Sequence, residues 1–311
     1  MEAENAVGET ARPEGSPHQT AEGAEERLRQ GNGASEATLN EPASQAKTKV
    51  ENAGGETEAA QHDTRQAGER LTVPVGAQEV AFRWCPAGTF TMGSRAGSDF
   101  FNWGGESGRF DNERQHQVTL TRGFWMGETE VTQGLWMEVM EDNPSYFKRG
   151  DNYPVEQVSW EDCQQFVQAL NSRWPQDGLR WALPTEAQWE YACRAGTTGA
   201  YGGTGVLAEM AWYDGIAFFS HTHPVGGKQA NAWGLFDMHG NVCEWCADGF
   251  REYPSGPVTD PTGAEDHRLP VFRGGSWNHG ATDCRSARRA YNIPSHRINY
   301  LGVRVALLPV R

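Results

Sequence analysis

Two thiols three residues apart, Cys243 and Cys246, are the first feature of this chain that could do chemistry. A C-x-x-C either supplies half of a tetrahedral zinc site or leaves two reduced thiols in a core. The other cysteines provide no second pair at zinc-site spacing, so two buried thiols are the expectation. His221-Thr222-His223 is another candidate, because two imidazoles on one short loop can share a metal. A His-x-His before a proline, here Pro224, more often faces solvent or bonds backbone, and no metal is assigned to it.

The elements that hold such groups in place lie in only part of the chain. Composition breaks near residue 72. Residues 1–71 contain no Phe, Trp or Tyr, and carry 14 acidic and 7 basic side chains, so 7 − 14 = −7 of the total −14 lies there. Such a segment cannot bury enough apolar surface to offset its ordering entropy, and a disordered tail over 1–71 is expected, with at most a transient turn at Ala24–Gln30. All 12 Trp, 13 Phe and 8 Tyr follow, mixed with glycine. That mixture predicts one loop-rich α+β domain over 72–311. The acidic balance argues against a nucleic-acid or anionic-membrane partner. The acidic start and the lack of a long apolar stretch give an expectation of a cytoplasmic protein without membrane insertion.

Three helices can be placed. Ser159 to Asp162 reads as a cap, followed by Cys163, Phe166, Val167 and Leu170 on one face. Thr185-x-x-Gln188 caps a second helix that ends near Gly196. A third spans Thr132 to Met140 and stops before Asn143-Pro144. Strands are predicted at 80–83, 117–120, 124–126, 272–274 and 303–307.

Seven blocks occur in order. They are Gly88-Thr89-Phe90-Thr91-Met92-Gly93-Ser94, Gly127-Glu128-Thr129-Glu130-Val131-Thr132, and Pro154-Val155-Glu156-Gln157-Val158-Ser159-Trp160. Next come Leu183-Pro184-Thr185-Glu186-Ala187-Gln188-Trp189, the run from Trp233 to Trp245, Arg273-Gly274-Gly275-Ser276-Trp277, and Gly302-Val303-Arg304-Val305. The ordered set resembles the formylglycine-generating enzyme (sulfatase-modifying factor) family. The resemblance implies a C-type-lectin-like fold whose C-terminal segment forms the binding face.

The family's oxidase binds copper through two thiols, one three positions after Gly-Gly-Ser and one five further on. Here those places hold His279 and Cys284. One imidazole and one thiol do not reproduce a bis-thiolate Cu(I) site, so no catalytic residue is assigned and copper is not expected. Copper-dependent oxidation of a sulfatase cysteine stays as the alternative function. Asp237-Met238-His239-Gly240-Asn241-Val242-Cys243-Glu244 is similar to the family's calcium loop, which would use the carboxylates of Asp237 and Glu244 and the carbonyls of Gly240 and Val242. The other reading is that both acids simply accept backbone amides. A second calcium loop, expected around 212–220, departs from the family pattern and is not carried over.

From Asn278 to Tyr300 there is no Trp, Met, Lys, Gln or Glu. The restricted set is similar to that of the variable proteins of diversity-generating retroelements, which share this fold. Trp277, Asn278, His279, Asp283, Arg289, Tyr291, Asn292, His296, Asn299 and Tyr300 are the candidate contact residues, of types that give adaptable hydrogen bonds and rigid aromatic area. The expected function is ligand binding without oxidase chemistry, the ligand being protein or carbohydrate.

Overall fold

In the computed structural model the described residues are 64–97, 104–214 and 221–310. The tail expected over 1–71 lies outside them up to residue 63, as does most of the 212–220 loop. No described helix is long and apolar enough to cross a membrane.

Local chemistry places the helices where the caps predict. Helix α1, Gln133–Met140, starts at Thr132, whose hydroxyl accepts the Leu135 N–H. Helix α2, Trp160–Arg173, carries a complete capping box between Ser159 and Asp162, and its Cys163–Phe166–Val167–Leu170 face is buried. Helix α3, Glu186–Arg194, repeats the device with Thr185 and Gln188 and stops at Ala195. A single turn, α4, spans Leu207–Met210.

The first sheet pairs β1 (Arg70–Val75), β2 (Gln78–Cys85), β5 (Phe124–Gly127), β12 (Ala306–Pro309) and β6 (Leu179–Ala182), all antiparallel. The second runs β10 (Arg289–Tyr291), β9 (Pro270–Arg273), β7 (Cys243–Gly249) and β11 (Leu301–Val303), with β11 parallel to β7. The third is β3 (Gly88–Met92), β4 (His116–Leu120) and β8 (Val258–Thr259).

One expectation is corrected here. The run 303–307 is two strands, not one: β11 ends at Val303 in the second sheet and β12 begins at Ala306 in the first. The chain changes sheets across Arg304 and Val305, and an apolar run gives no sign of that step.

The core is aromatic. Trp136 stacks on Phe166 at 4.7 Å, and Phe82 meets Trp181 edge-on at 5.5 Å. Rings of this size each remove about 150–250 Å² from water. Buried ion pairs tie the elements together: Arg289 of β10 on Glu186 and Arg273 of β9 on Glu190, both acids in α3, Arg304 on Glu244 of β7, and Arg285 on Glu113 between two connections. These charge-assisted bonds give each buried charge a fixed partner.

Candidate functional site

β9 ends at Arg273, and Gly274 and Gly275 then turn the chain with φ of +98° and +70°. A Cβ on Gly275 would stand 2.6 Å from the Cys284 sulfur, so only glycine lets the two segments close. The turn delivers Trp277, whose N–H donates to Asn241 O at 2.8 Å and whose indole Nε1 donates to Asn299 O at 3.2 Å. His279 lies edge-on to Tyr300 at 4.9 Å. Trp277, His279, Asn299 and Tyr300 are therefore one group, with exposed Asn278 beside them.

The other predicted contact residues go elsewhere. Tyr291 pairs with Val271 at the opposite end of β9 and packs on Phe250 at 4.2 Å, while Asn292 donates its N–H to Pro270 O. Asp283 binds Arg288 at 3.0 Å. His296 is half-buried, and burial lowers its pKa. Arg289 is a correction: it is 1% exposed, and its guanidinium grips Glu186 at 2.6 and 2.8 Å. An arginine in a polar, restricted segment reads as surface, but its partner lies 103 residues away in the sequence.

Residues outside the segment complete the group. Phe147 meets Trp277 at 5.4 Å and Tyr146 at 4.9 Å, both at 88°. His221 stands 6.3 Å from Phe147 and 4.8 Å from His223, which stacks on Trp212. Tyr146 is 67% exposed. Nothing periodic marks Tyr146-Phe147; the only signal is two aromatics after Asn143-Pro144, in a turn.

The sulfur chemistry is subdued. Cys243 and Cys246 point to opposite faces of β7, as alternation requires, and enter different core clusters. All six cysteines are free and buried. Burial pushes the Cys284 thiol up to about 12. His279 Nδ1 sits 2.8 Å from Ser276 Oγ and 3.7 Å from Cys243 Sγ. Since Ser276 gives its proton to Asn278 Oδ1 at 2.7 Å, His279 Nδ1 is the donor to that hydroxyl.

The loop expected to hold calcium runs into a strand, β7, and Glu244 belongs to it. Its carboxylate accepts from Arg304 at 2.6–3.0 Å and from Trp189 Nε1 at 2.6 Å. Asp237 accepts Gly226 N–H through Oδ2, while Oδ1, also buried, finds no hydrogen-bond partner among the described residues. Glu130 joins them, accepting Val242 N–H and Asn241 Nδ2. Burial, then Asp237 and Glu244, hold its carboxyl well above the usual range. Three buried carboxylates thus face the one guanidinium of Arg304. Among the described residues no three His, Cys, Asp or Glu side chains converge as a metal cage. Of the carboxylate oxygens in the expected calcium set, Asp237 Oδ1 is the one left without a hydrogen-bond partner among the described residues.

The profile of the sulfatase-modifying factor enzyme 1-like domain matches residues 66–308. The chain belongs to the sulfatase-modifying-factor family. The Paenibacillus barcinonensis protein named chaperone protein LppX is 32% identical over 209 residues, 51% of this chain and 71% of that protein. The formylglycine-generating enzyme of Streptomyces coelicolor is 36% identical over 182 residues, 50% of this chain and 52% of the enzyme, so the chain spans about half of that relative's length. Among solved structures, Treponema denticola variable protein 1 superposes with a TM-score of 0.67 at 29% identity, covering 77% of this chain and 99% of its own. PvdO from Pseudomonas aeruginosa gives 0.65 at 27%, covering 78% and 99%. The α+β, loop-rich fold implied by the ordered motifs is the one observed. Of the sulfatase-modifying-factor motifs, the Gly-Gly-Ser-Trp turn is the one that delivers Trp277 to this group.

Proposed function

We propose that this sulfatase-modifying-factor domain is a ligand-binding member of its family without oxidase chemistry. Its contact face is Trp277, Asn278, His279, Asn299 and Tyr300 with Tyr146 and Phe147, and its ligand is protein or carbohydrate. The carrying observation is the pairing at the oxidase position. His279 stands where a thiol is needed and donates through Nδ1 to Ser276, while Cys284 is fully buried and kept as a thiol. The thiolate, not the thiol, is the metal ligand and nucleophile. Incubation with copper, oxygen and a Cys-x-Pro-x-Arg peptide is expected to give no aldehyde by mass spectrometry. Aldehyde formation would establish the copper-dependent oxidase instead. The likeness to a variable protein, with the restricted residue set of 278–300, supports a retroelement-diversified segment. A neighbouring reverse-transcriptase gene with a near-identical template repeat is expected, and a locus lacking both refutes that part.

We also propose that calcium binds at Asp237. Its orphaned oxygen and the excess of buried carboxylate over guanidinium support this reading. The role is structural, pinning the 237–242 loop against β7. Added calcium is expected to raise the melting temperature of the chelator-treated protein, and Asp237→Asn to abolish most of that rise. An unchanged melting temperature excludes the site.

A further inference from the structure

We propose that Tyr146, Phe147 and Trp277 form a cage for a cationic head group, the guanidinium or ammonium of a ligand side chain. This rests on the reading of the face above and names what the face takes.

We take Phe147 as the floor of this site and Tyr146 and Trp277 as its walls. Tyr146 and Trp277 each stand at 88° to Phe147, with ring centroids 4.9 and 5.4 Å away. Aromatic faces attract cations through their quadrupole, and several rings around one site add their attraction. The floor is fixed in advance. Phe147 N–H donates to Glu156 Oε1 at 2.7 Å, and Phe147 O accepts Gln133 Nε2 at 2.9 Å. Trp277 is tied at both its backbone and its indole nitrogen. Tyr146 is two-thirds exposed, so one wall is open to solvent.

Charge points the same way. Glu156, which accepts the Phe147 amide, is fully buried, and its Oε2 finds no hydrogen-bond partner among the described residues. Burial, offset by the Phe147 and Tyr146 amides, pushes its carboxyl up to about 7. A cation in front of Phe147 would favour the ionised form of that acid. The site already attracts one: the Arg149 guanidinium sits 6.0 Å from the Phe147 centroid. Arg149 is therefore a weak internal occupant that a ligand's cation displaces. Lys148 beside it opposes a second cation, and the net charge of −14 draws one in from a distance.

The test compares N-acetyl-arginine amide with N-acetyl-citrulline amide, which keeps the shape and loses the charge. Titration followed by tryptophan fluorescence and calorimetry is expected to show saturable binding of the arginine amide, at least tenfold tighter than the citrulline amide. Tyr146→Ala, on an exposed side chain that the fold does not need, is expected to weaken it tenfold or more. Arg149→Ala is expected to tighten it several-fold. Equal binding of both amides, or tighter binding of neither in Arg149→Ala, overturns the cage. If glycan and peptide arrays yield only neutral ligands whose binding Trp277→Ala abolishes, the face stands and the cage falls. If no array ligand depends on Trp277 while the arginine amide still binds, the cage stands and the wider face falls.

Discussion

Arg304→Met is expected to leave the domain unfolded or close to it. Arg304 is fully buried and donates to Glu244, to Gly127 O at 2.9 Å and to Phe236 O at 2.8 Å. Methionine matches much of its bulk, so packing is not the issue. What remains is Glu130, Asp237 and Glu244, buried together with no cation. Removing one partner of a buried pair costs about 3–5 kcal/mol, because the uncompensated charge stays in place. Domains have only about 5–15 kcal/mol in total. At about 2–4 °C per kcal/mol for a domain of this size, the melting temperature falls by roughly 6–20 °C, or the protein does not accumulate. The loss is smaller at pH 5 than at pH 8, since protons can take the place of the missing guanidinium. Arg304→Lys keeps the charge but loses the fork and lies between. A methionine variant melting within about 1 kcal/mol of the parent would show that these carboxylates are relieved in some other way.

Asp248→Asn works in the other direction. Asp248 is 3% exposed and accepts the Glu186 N–H at 2.6 Å. Burial, followed by the charge of Glu186, pushes its carboxyl up to about 7. Unfolded, it titrates near 3.9. Between those values the native state holds a proton that the unfolded chain has lost, so unfolding releases it. The stabilising contribution of this group is therefore full below about pH 4 and is lost as pH rises through about 7. The difference, about 3 pK units at 1.36 kcal/mol each, is about 4 kcal/mol at pH 8. Asparagine keeps an oxygen for the Glu186 amide and carries no charge. Denaturant titrations are expected to show a variant more stable than the parent by up to about 4 kcal/mol at pH 8 and similar to it at pH 4. A variant whose advantage does not grow between those pH values would place the ionisation elsewhere.

The legible parts of this protein are those whose cause is local. Ser159 with Asp162, and Thr185 with Gln188, are capping pairs three residues apart, and both helices start there. The Gly274-Gly275 turn is similarly self-contained. The illegible parts depend on a distant partner. Glu244 reads as a loop acid because nothing near it announces Arg304, 60 residues on. Arg289 reads as surface for the same reason. Glu130 sits inside one of the seven ordered motifs, yet its role comes from Val242 and Asn241 across the fold. Trp277, His279, Asn299 and Tyr300 of the C-terminal segment come together, but the rings packed beside them include Tyr146 and Phe147, which no spacing connects to that segment.

The split of the final strands has a consequence for synthesis. β12 lies between β5 and β6, so an interior strand of the first sheet is the last part of the domain to leave the ribosome. β1, β2 and β5 can pair as they emerge, but they cannot join β6 until residue 309 is out, and Arg304 reaches Glu244 only in that same step. The nascent chain must therefore carry an open edge on β5 from residue 127 until β12 emerges, and an unpaired cluster of acids over the 60 residues from Glu244 to Arg304. A ribosome stalled before residue 304 would hold a chain that can cap its helices but cannot close its core.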